Sequence, residues 1–478
     1  MQGGIQGFIL GGERKHLSPT SERVVSVHSP WDGFPVGTVF LASESDAHEA
    51  VEKAVMGFER TRALSSLERS EILSFVAGRL KERMDEFSRL ITSEVGKPIQ
   101  WSRVEVDRAI FTFQLAAEEA KRIGGEVLPL DLNRASAGKF GIVRRFPLGV
   151  ILCITPFNYP LNLVAHKVAP AIASGNSFIL KPASHAPLTA LELGEIIGAS
   201  GYPREAFSVL PCSDEVAQTL VTDERIKMLS FTGSAGVGWK LKSMAGKKKV
   251  LLELGGNAGV IIDRTANLDE AVKKNLTAAF LYSGQVCIKV QRIYVHKDLY
   301  DTFREKFLEE VRSLKYGDPN DPTTVCGPLI DDKASERVSQ WVRESVADGA
   351  AIAAGGTRNG RVVEPTVLEH VKITSDVFRK EIFGPVVTFH SFKTIEEAVA
   401  GMNDSTFGLQ AGIFSNDLKN ILYAYNNIEA GAVIVNDTPS YRVDHMPYGG
   451  VKDSGFGREG IRYAIEAMTE PKLLVLGS

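Results

Sequence analysis

The stretch FILKPASHAPLTALELGEIIGASGYPREAFSVL, residues 178–210, decides the fold. Its apolar opening, 178–180, reads as a short buried strand, 187–197 as a helix and 207–210 as a second strand. Working outward, the alternation continues: a helix over 215–221, a strand over 228–231, a helix after Gly233, then strands over 250–252 and 260–262. Short strands alternating with helices predict an α/β fold around a mostly parallel sheet. Upstream, residues 140–156 carry β-branched runs broken by Pro147, Leu148 and Gly149, which predicts two strands. Further back, Ser65 and Glu68 have capping-box spacing, and Ile72, Phe75, Val76 and Leu80 are expected on one face of the helix that follows. A helix around 105–122 should stop at Gly124 and Gly125. Downstream, a second alternation places a helix over 268–282, a strand over 292–296 and a helix over 298–314, with Leu299, Phe303, Phe307 and Val311 on one stripe. The run 471–476 is a terminal strand without a neighbour in sequence. It is a candidate for adding to another sheet, across subunits included.

A chain of 478 residues exceeds one ordinary core, so two or three domains are expected. The composition, 44% hydrophobic and 24% charged, is that of a globular protein. A net charge of −3 gives no electrostatic reason to expect nucleic acid or an anionic membrane as partner. The first residues lack a charged segment followed by a long apolar one, and no apolar run reaches the roughly 20 residues of a membrane helix. The cysteines, Cys153, Cys212, Cys287 and Cys326, are far apart, with neither zinc-knuckle nor disulfide spacing. Isolated cysteines fit a reducing compartment, and a cytoplasmic enzyme is the expectation. The nine histidines show no metal-binding spacing, so no metal is expected.

Three residues stand out as chemistry. Cys287 follows the small, turn-forming Ser283, Gly284 and Gln285 at a helix-to-strand junction, where a backbone amide can be left free. Cys153 sits inside an apolar run instead. Most single cysteines are small buried hydrophobes, and that reading stands beside the reactive one. Glu253 ends a strand just before Leu254, Gly255 and Gly256, where α/β sheets face a ligand crevice; a solvated strand end is the alternative. Asn158 lies between Pro156 and Pro160, which fix the local backbone and can aim its amide; a turn asparagine is the alternative.

The strings PFNYP (156–160), KPA (181–183), FTGS (231–234), ELGGN (253–257), GQVC (284–287), EIFGPV (381–386) and PYGGVKDSGFGREG (447–460) resemble the aldehyde dehydrogenase superfamily, in its order and over nearly the whole chain. The 34-residue separation of Glu253 and Cys287 matches as well. The resemblance implies a Rossmann-type cofactor domain (1–126 and 146–254), an α/β catalytic domain (255–460) and a small β bridging element (127–145 and 461–478) that joins subunits into a homodimer or homotetramer. It implies that Cys287 attacks an aldehyde, that Asn158 and the Cys287 backbone N–H hold the oxyanion, and that Glu253 activates the water that hydrolyses the thioester. A coenzyme-A-acylating relative would not need Glu253, so a free acid is the expected product.

The cofactor implied is NADP or NAD. FTGSAGVG (231–238) follows a strand and opens a helix, whose N-terminal amides favour a phosphate. The spacing is not GxGxxG, and the family lacks that fingerprint. By resemblance, Lys181 meets the adenine ribose, Gly233 and Ser234 lie near the cofactor, and Glu381 and Phe383 meet the nicotinamide ribose. Thr155, Pro156, Phe157, Phe231, Val237, Leu254 and Gly255 complete the expected site. A surface lysine at a strand end is the plain reading of Lys181. Ser184 departs from NAD⁺-preferring relatives, which often carry a glutamate there. Without that carboxylate the 2′-phosphate of NADP⁺ is not repelled, so good use of NADP⁺ is expected.

Segments 105–110 and 117–126 resemble the branch holding lactaldehyde dehydrogenase and non-phosphorylating glyceraldehyde-3-phosphate dehydrogenase. Arg108, Tyr159 and Arg442 sit where phosphate-binding members grip their substrate, Arg442 with an offset of one residue. A helix-surface ion pair with Glu105 is the alternative for Arg108. Val286 replaces an arginine expected beside the nucleophile, which points to a small hydroxyaldehyde such as lactaldehyde, or to a semialdehyde, rather than a phosphorylated substrate. Two other classes are a cofactor-independent esterase and a redox-silent binding protein. The first lacks a GxSxG elbow; the second has no need of Cys287, Glu253 and Asn158 together.

Overall fold

The computed structural model describes residues 5–18 and 22–477. Residues 1–4 and 478, the outer ends of two of the expected domains, lie outside the described residues, as do 19–21. Eight strands form one sheet, in the order Gly455–Phe456, Lys249–Glu253, Ile226–Thr232, Val150–Ile154, Ser177–Lys181, Phe207–Val209, Phe8–Leu10 and Glu13–Lys15. Its centre is parallel, and its edges are antiparallel. The register sets Ile154 beside both Lys181 and Phe231, and Thr232 beside Glu253. Four strands therefore end in a row. At the carboxyl edge of a parallel sheet that row is where a ligand crevice forms.

Glu253 is also where the chain leaves this sheet. After four residues it enters the strand Ala258–Ile262 of a second, seven-stranded sheet. That sheet runs Ala351–Ala354, Thr366–Glu369, Val386–Phe392, Val290–His296, Ala258–Ile262, Gln410–Phe414 and Ala432–Val435. All its pairings are parallel except that of Ala351–Ala354. The fold is thus α/β, with helices packed on both sheets. Gly238, in the helix Ala235–Met244, is a glycine because a Cβ there would collide with Leu254, so helix and sheet approach closely.

The helix Ser66–Glu82 begins as expected, with Ser65 accepting from Glu68 N while Glu68 accepts from Ser65 N. Ile72, Val76 and Leu80 are buried, but Phe75 is 39% exposed. The buried arc turns through Leu73 and Ala77 instead, on the opposite margin of the stripe. The helix expected from 105 begins a turn and a half earlier and spans Ile99–Ala120, with Pro98 as its cap. The terminal strand, Thr469–Gly477, has a partner within its own chain. It pairs antiparallel with Lys139–Pro147 over nine residue pairs, and Gly125–Pro129 completes a three-stranded sheet. Its other edge has no strand partner among the described residues, and Leu473, Leu474 and Val475 are each about half exposed. Among the described residues no helix is long and apolar enough to cross a membrane.

Candidate active site

Cys287 sits on a turn that the chain builds under strain. Tyr282 and Ser283, both non-glycine, have φ of 50° and 55°. Such conformations cost about 1–3 kcal/mol each and persist where the surroundings over-determine them. Here Tyr282 N donates to Val325 O at 3.2 Å, Ser283 Oγ to Gly327 O at 2.7 Å and Tyr282 Oη to Val95 O at 3.3 Å. Gln285 adds two more ties, to Pro328 O and from Ile330 N. The turn carrying the candidate nucleophile is therefore fixed to the segment 325–330.

Asn158 reaches this turn directly. Its Nδ2 donates to Gln285 O at 2.8 Å, which uses one of its two amide hydrogens. Behind the turn, Gly256 abuts the Cys287 carbonyl so closely that a Cβ would collide with it. Gly255 meets the Glu381 carboxylate in the same way, and Gly256 N donates to Glu381 Oε1 at 2.9 Å. The two glycines after Glu253 thus let three chain segments converge. Burial pushes Glu381 up to about 7, against the Gly256 hydrogen bond and the charges of Arg337 and Lys289. Lys289, two residues after Cys287, is buried and driven down to about 7.

The Cys287 sulfur lies 3.1 Å from the Tyr448 hydroxyl. Burial pushes its thiol up to about 11; the Tyr448 hydrogen bond and Arg442 pull the other way, while Glu381 and Glu253 add to the rise. Glu253 is 2% exposed, and neither carboxylate oxygen has a hydrogen-bond partner. Burial raises it well above the carboxylate range, and neighbouring Glu459 raises it further. Glu459 resists the same burial, because Lys167, His166 and Arg442 hold it ionised. Lys167 Nζ donates to Glu459 Oε1 at 2.8 Å and to Ser230 Oγ at 3.1 Å. Of the two buried carboxylates, Glu459 is the one held down by its cations and Glu253 the one pushed up.

The Arg442 guanidinium carbon lies over the Tyr448 ring, 3.6 Å from its centroid. It donates to Glu459 Oε2 at 3.4 Å, lies 3.3 Å from His166 Nε2, and its Nε is buried without a partner. Arg108 differs from the expected surface pair. It forms a two-pronged ion pair with Asp444, at 2.6 and 3.3 Å. Glu105 is occupied by Lys97 and by the backbone N–H groups of Leu161 and Asn162, at the start of the helix Asn162–Ala173. Asp444 also takes His166 Nε2 at 2.8 Å, and burial with Arg442 lowers that imidazole. Tyr159 lies under Lys97, whose Nζ is 3.6 Å from its ring centroid. Val286 is buried beside the turn.

The row of strand ends carries the expected cofactor residues. Thr155, Lys181, Phe231 and Leu254 are buried along it, while Ser184 and Val237 are exposed. Pro156 is half-buried beside Phe157, whose ring meets Phe383 edge-on at 6.1 Å. Ser234 caps the helix Ala235–Met244 without a side-chain hydrogen bond, so the first backbone N–H groups of that helix are not taken by its cap. Thr232 Oγ1 is buried without a partner nearby, and a Cβ on Gly233 would press into Phe231. Lys181 Nζ lies 3.5 Å from Asp214 Oδ1. Uncapped helix amides, an unsatisfied hydroxyl, a lysine and a narrow glycine floor suit a phosphate-bearing dinucleotide.

Sequence reasoning did not single out Tyr448, His166, Lys167, Asp444, Glu459 or Lys289. One signal was available: His166 and Lys167 are basic residues inside the otherwise apolar helix Asn162–Ala173.

Comparison with known proteins matches residues 16–474 to the Aldehyde dehydrogenase family. The chain is 43% identical over 471 residues to 3-sulfolactaldehyde dehydrogenase from Priestia aryabhattai, covering 98% of each. Its structure superposes with a TM-score of 0.97 on aldehyde dehydrogenase 21 from Physcomitrella patens in complex with the reaction product succinate, at 43% identity, over 100% of this chain and 99% of that one. It superposes with a TM-score of 0.91 on glyceraldehyde-3-phosphate dehydrogenase GapN from Methanocaldococcus jannaschii complexed with NADP, at 37% identity, over 95% of this chain and 99% of that one.

Proposed function

The chain belongs to the aldehyde dehydrogenase family, and on that premise we propose that it oxidises a short aldehyde with an anionic far end, a semialdehyde or acidic hydroxyaldehyde, to the free carboxylic acid. The enzyme is an NAD(P)-dependent aldehyde oxidoreductase; the finer reading concerns its residues, its substrate and its preference for NADP⁺.

One observation carries the substrate reading. Arg442 is buried, one tyrosine ring from the Cys287 sulfur, with its Nε unpartnered. The cations Lys167 and Arg442 face Glu459, while burial disfavours the charged form of Glu253. Arg108 is neutralised by Asp444, and burial with Arg442 lowers the His166 imidazole. The local excess is positive, and an anionic tail would balance it within a short chain's reach of the sulfur. The three relatives lend support: a sulfonated aldehyde, succinate and a phosphorylated aldehyde are named for them. Buried, apolar Val286 favours a carboxylate or sulfonate over a phosphate dianion.

In the proposed mechanism the Cys287 thiolate attacks the carbonyl carbon. A sulfur–carbon bond forms, and the carbonyl π electrons move to oxygen. The second amide hydrogen of Asn158, the one Gln285 leaves free, and the Cys287 backbone N–H stabilise that oxyanion. Such a donor contributes about 2.7–4 kcal/mol. Lys181, Ser184, the amides after Ser234 and Glu381 would hold the nicotinamide cofactor, which supplies the hydride acceptor. Glu253 then takes a proton from the water that attacks the thioester, and the thiolate leaves. Burial raises its pKa and so makes its carboxylate a stronger base than an exposed one.

Two further readings belong to the same proposal. The division into a cofactor domain over 1–126 and 146–254, a catalytic domain over 255–460 and a bridging element is supported by the two large sheets and the three-stranded one, although the edge strand Gly455–Phe456 of the eight-stranded sheet comes from the catalytic range. The half-exposed apolar strand Thr469–Gly477, with its unpaired edge, supports association into a homodimer or homotetramer.

A panel of succinic semialdehyde, lactaldehyde, glyceraldehyde, glyceraldehyde-3-phosphate and butanal, each with NADP⁺ and NAD⁺, tests the reading by the absorbance of reduced nicotinamide. A higher kcat/KM for lactaldehyde or butanal than for every charged aldehyde would overturn the anionic substrate.

A further inference from the structure

The nucleophile reading leaves one problem open. Half-buried Cys287 is packed closely enough that its ionised form is costly, yet the thiolate is the form that attacks. A buried thiolate needs donors aimed at its sulfur. Among the described residues the side-chain group that reaches Cys287 Sγ is the hydroxyl of Tyr448, at 3.1 Å.

Tyr448 is built to hold that position. It is 2% exposed. Its backbone is clamped on both sides by Glu459, with Tyr448 N donating to Glu459 O at 3.0 Å and Glu459 N donating to Tyr448 O at 2.6 Å. The Arg442 guanidinium covers one face of its ring, and Arg442 is itself tied to Glu459. A phenol can donate one hydrogen bond, and a thiolate can only accept. Burial raises the phenol well above its ordinary value, so it keeps its proton wherever the thiol can lose one.

We propose that Tyr448 is a catalytic residue: its hydroxyl donates to Cys287 Sγ, favours the thiolate over the thiol before substrate arrives, and fixes the direction from which it attacks. The S–H bond breaks with its proton passing to water. Tyr448 retains its own proton throughout and contributes only the hydrogen bond. Arg442 over the ring makes the phenol a stronger donor by favouring electron density on the aromatic face. When sulfur bonds to the aldehyde carbon it becomes a weak acceptor, so this hydrogen bond belongs to the resting nucleophile and not to the oxyanion.

The proposal rests on Cys287 as nucleophile, and its test requires neither substrate nor cofactor. The rate of Cys287 alkylation by iodoacetamide is followed against pH, with the modified peptide identified by mass spectrometry. Tyr448→Phe keeps the ring and its stacking on Arg442 but removes the donor. The expected result is a rise of about one unit in the apparent thiol pKa, equivalent to about tenfold less thiolate at a given pH below it. The acid limb of kcat/KM should move up with it. Incorporation of 3-fluorotyrosine at position 448, a more acidic phenol of nearly the same shape, should lower the thiol pKa instead. This second variant decides the matter if Tyr448→Phe does not fold. An alkylation profile unmoved by either change, whatever happens to activity, overturns the proposal. That outcome leaves aldehyde oxidation by Cys287 standing, since Cys287→Ala tests it separately.

Discussion

Asn158 Nδ2 donates to the carbonyl of Gln285, two residues before Cys287, at 2.8 Å. The amide proposed to stabilise the oxyanion is therefore anchored on the turn that carries the nucleophile, and the two move as one unit. Asn158→Ala should lower kcat by about 10²–10³-fold, as loss of one oxyanion donor does elsewhere. Because the anchor is lost too, the Cys287 turn should loosen, read as faster amide hydrogen exchange over 282–287. A variant with kcat within a factor of three of the parent would remove Asn158 from the mechanism.

Glu253 acts only after hydride transfer in the proposed scheme. In Glu253→Gln the first turnover should proceed, releasing a burst of reduced nicotinamide near one equivalent per Cys287. Steady turnover should then fall by about 10²–10⁴-fold, and an acyl adduct on Cys287 should be visible by intact mass. Loss of the burst together with the steady state would assign Glu253 to an earlier step.

Activity should rise with pH. The thiol of Cys287, raised to about 11, and Glu253, raised well above 4.5, both react in their deprotonated forms. Raising the thiol moves the acid limb of kcat/KM to higher pH, and raising Glu253 moves that of kcat, so both should climb between about pH 6 and about pH 9, by at most tenfold per unit for each group. A profile that is flat or falls over that interval contradicts the assignment.

Arg442→Met should discriminate by charge. For an anionic aldehyde, losing a charged hydrogen-bond donor costs about 1.5–3 kcal/mol, roughly 10–100-fold in kcat/KM. A neutral aldehyde of similar length should change far less, because Lys167 still compensates Glu459. Equal losses for both would mean that Arg442 serves the architecture alone.

Ser184→Glu should shift cofactor use toward NAD⁺. A unit charge pair about 4 Å apart in water interacts by roughly 1 kcal/mol, and the 2′-phosphate carries nearly two charges. The NADP⁺/NAD⁺ ratio of kcat/KM should drop about tenfold or more. Asp214, already near Lys181, is the second carboxylate to remove if the parent enzyme proves indifferent to the phosphate.

The strand ends were legible because each stands where an apolar run meets a glycine, proline or cap, as at Lys181, Gly233 and Glu253. The turn that carries Cys287 was legible for the same reason: Ser283, Gly284 and Gln285 are residues a tight junction needs. Partnerships were less so. Arg108 offers Glu105 one turn away as an obvious mate, yet packing brings Asp444 to it from the far end of the chain and commits Glu105 to capping a helix. Phe75 falls on the apolar stripe by spacing, but the neighbouring helix covers the arc through Leu73 and leaves it outside. Tyr448 in its glycine-flanked loop gives no periodic signal at all. Its meaning comes only from the sulfur it touches.

The pairing of Gly455 with Glu253 has a temporal consequence. The strand that edges the eight-stranded sheet, the tyrosine on the sulfur and the carboxylate on Lys167 all come from residues 448–459, synthesised well after Cys287. Contacts spanning so much chain slow folding, since loop closure must precede them. A growing polypeptide therefore already carries its cysteine but lacks the surroundings that tune it. The sulfur therefore meets its tyrosine partner only after residue 448 has been made and folded back, so the site is completed by chain that follows Cys287 and not by its sequence neighbours.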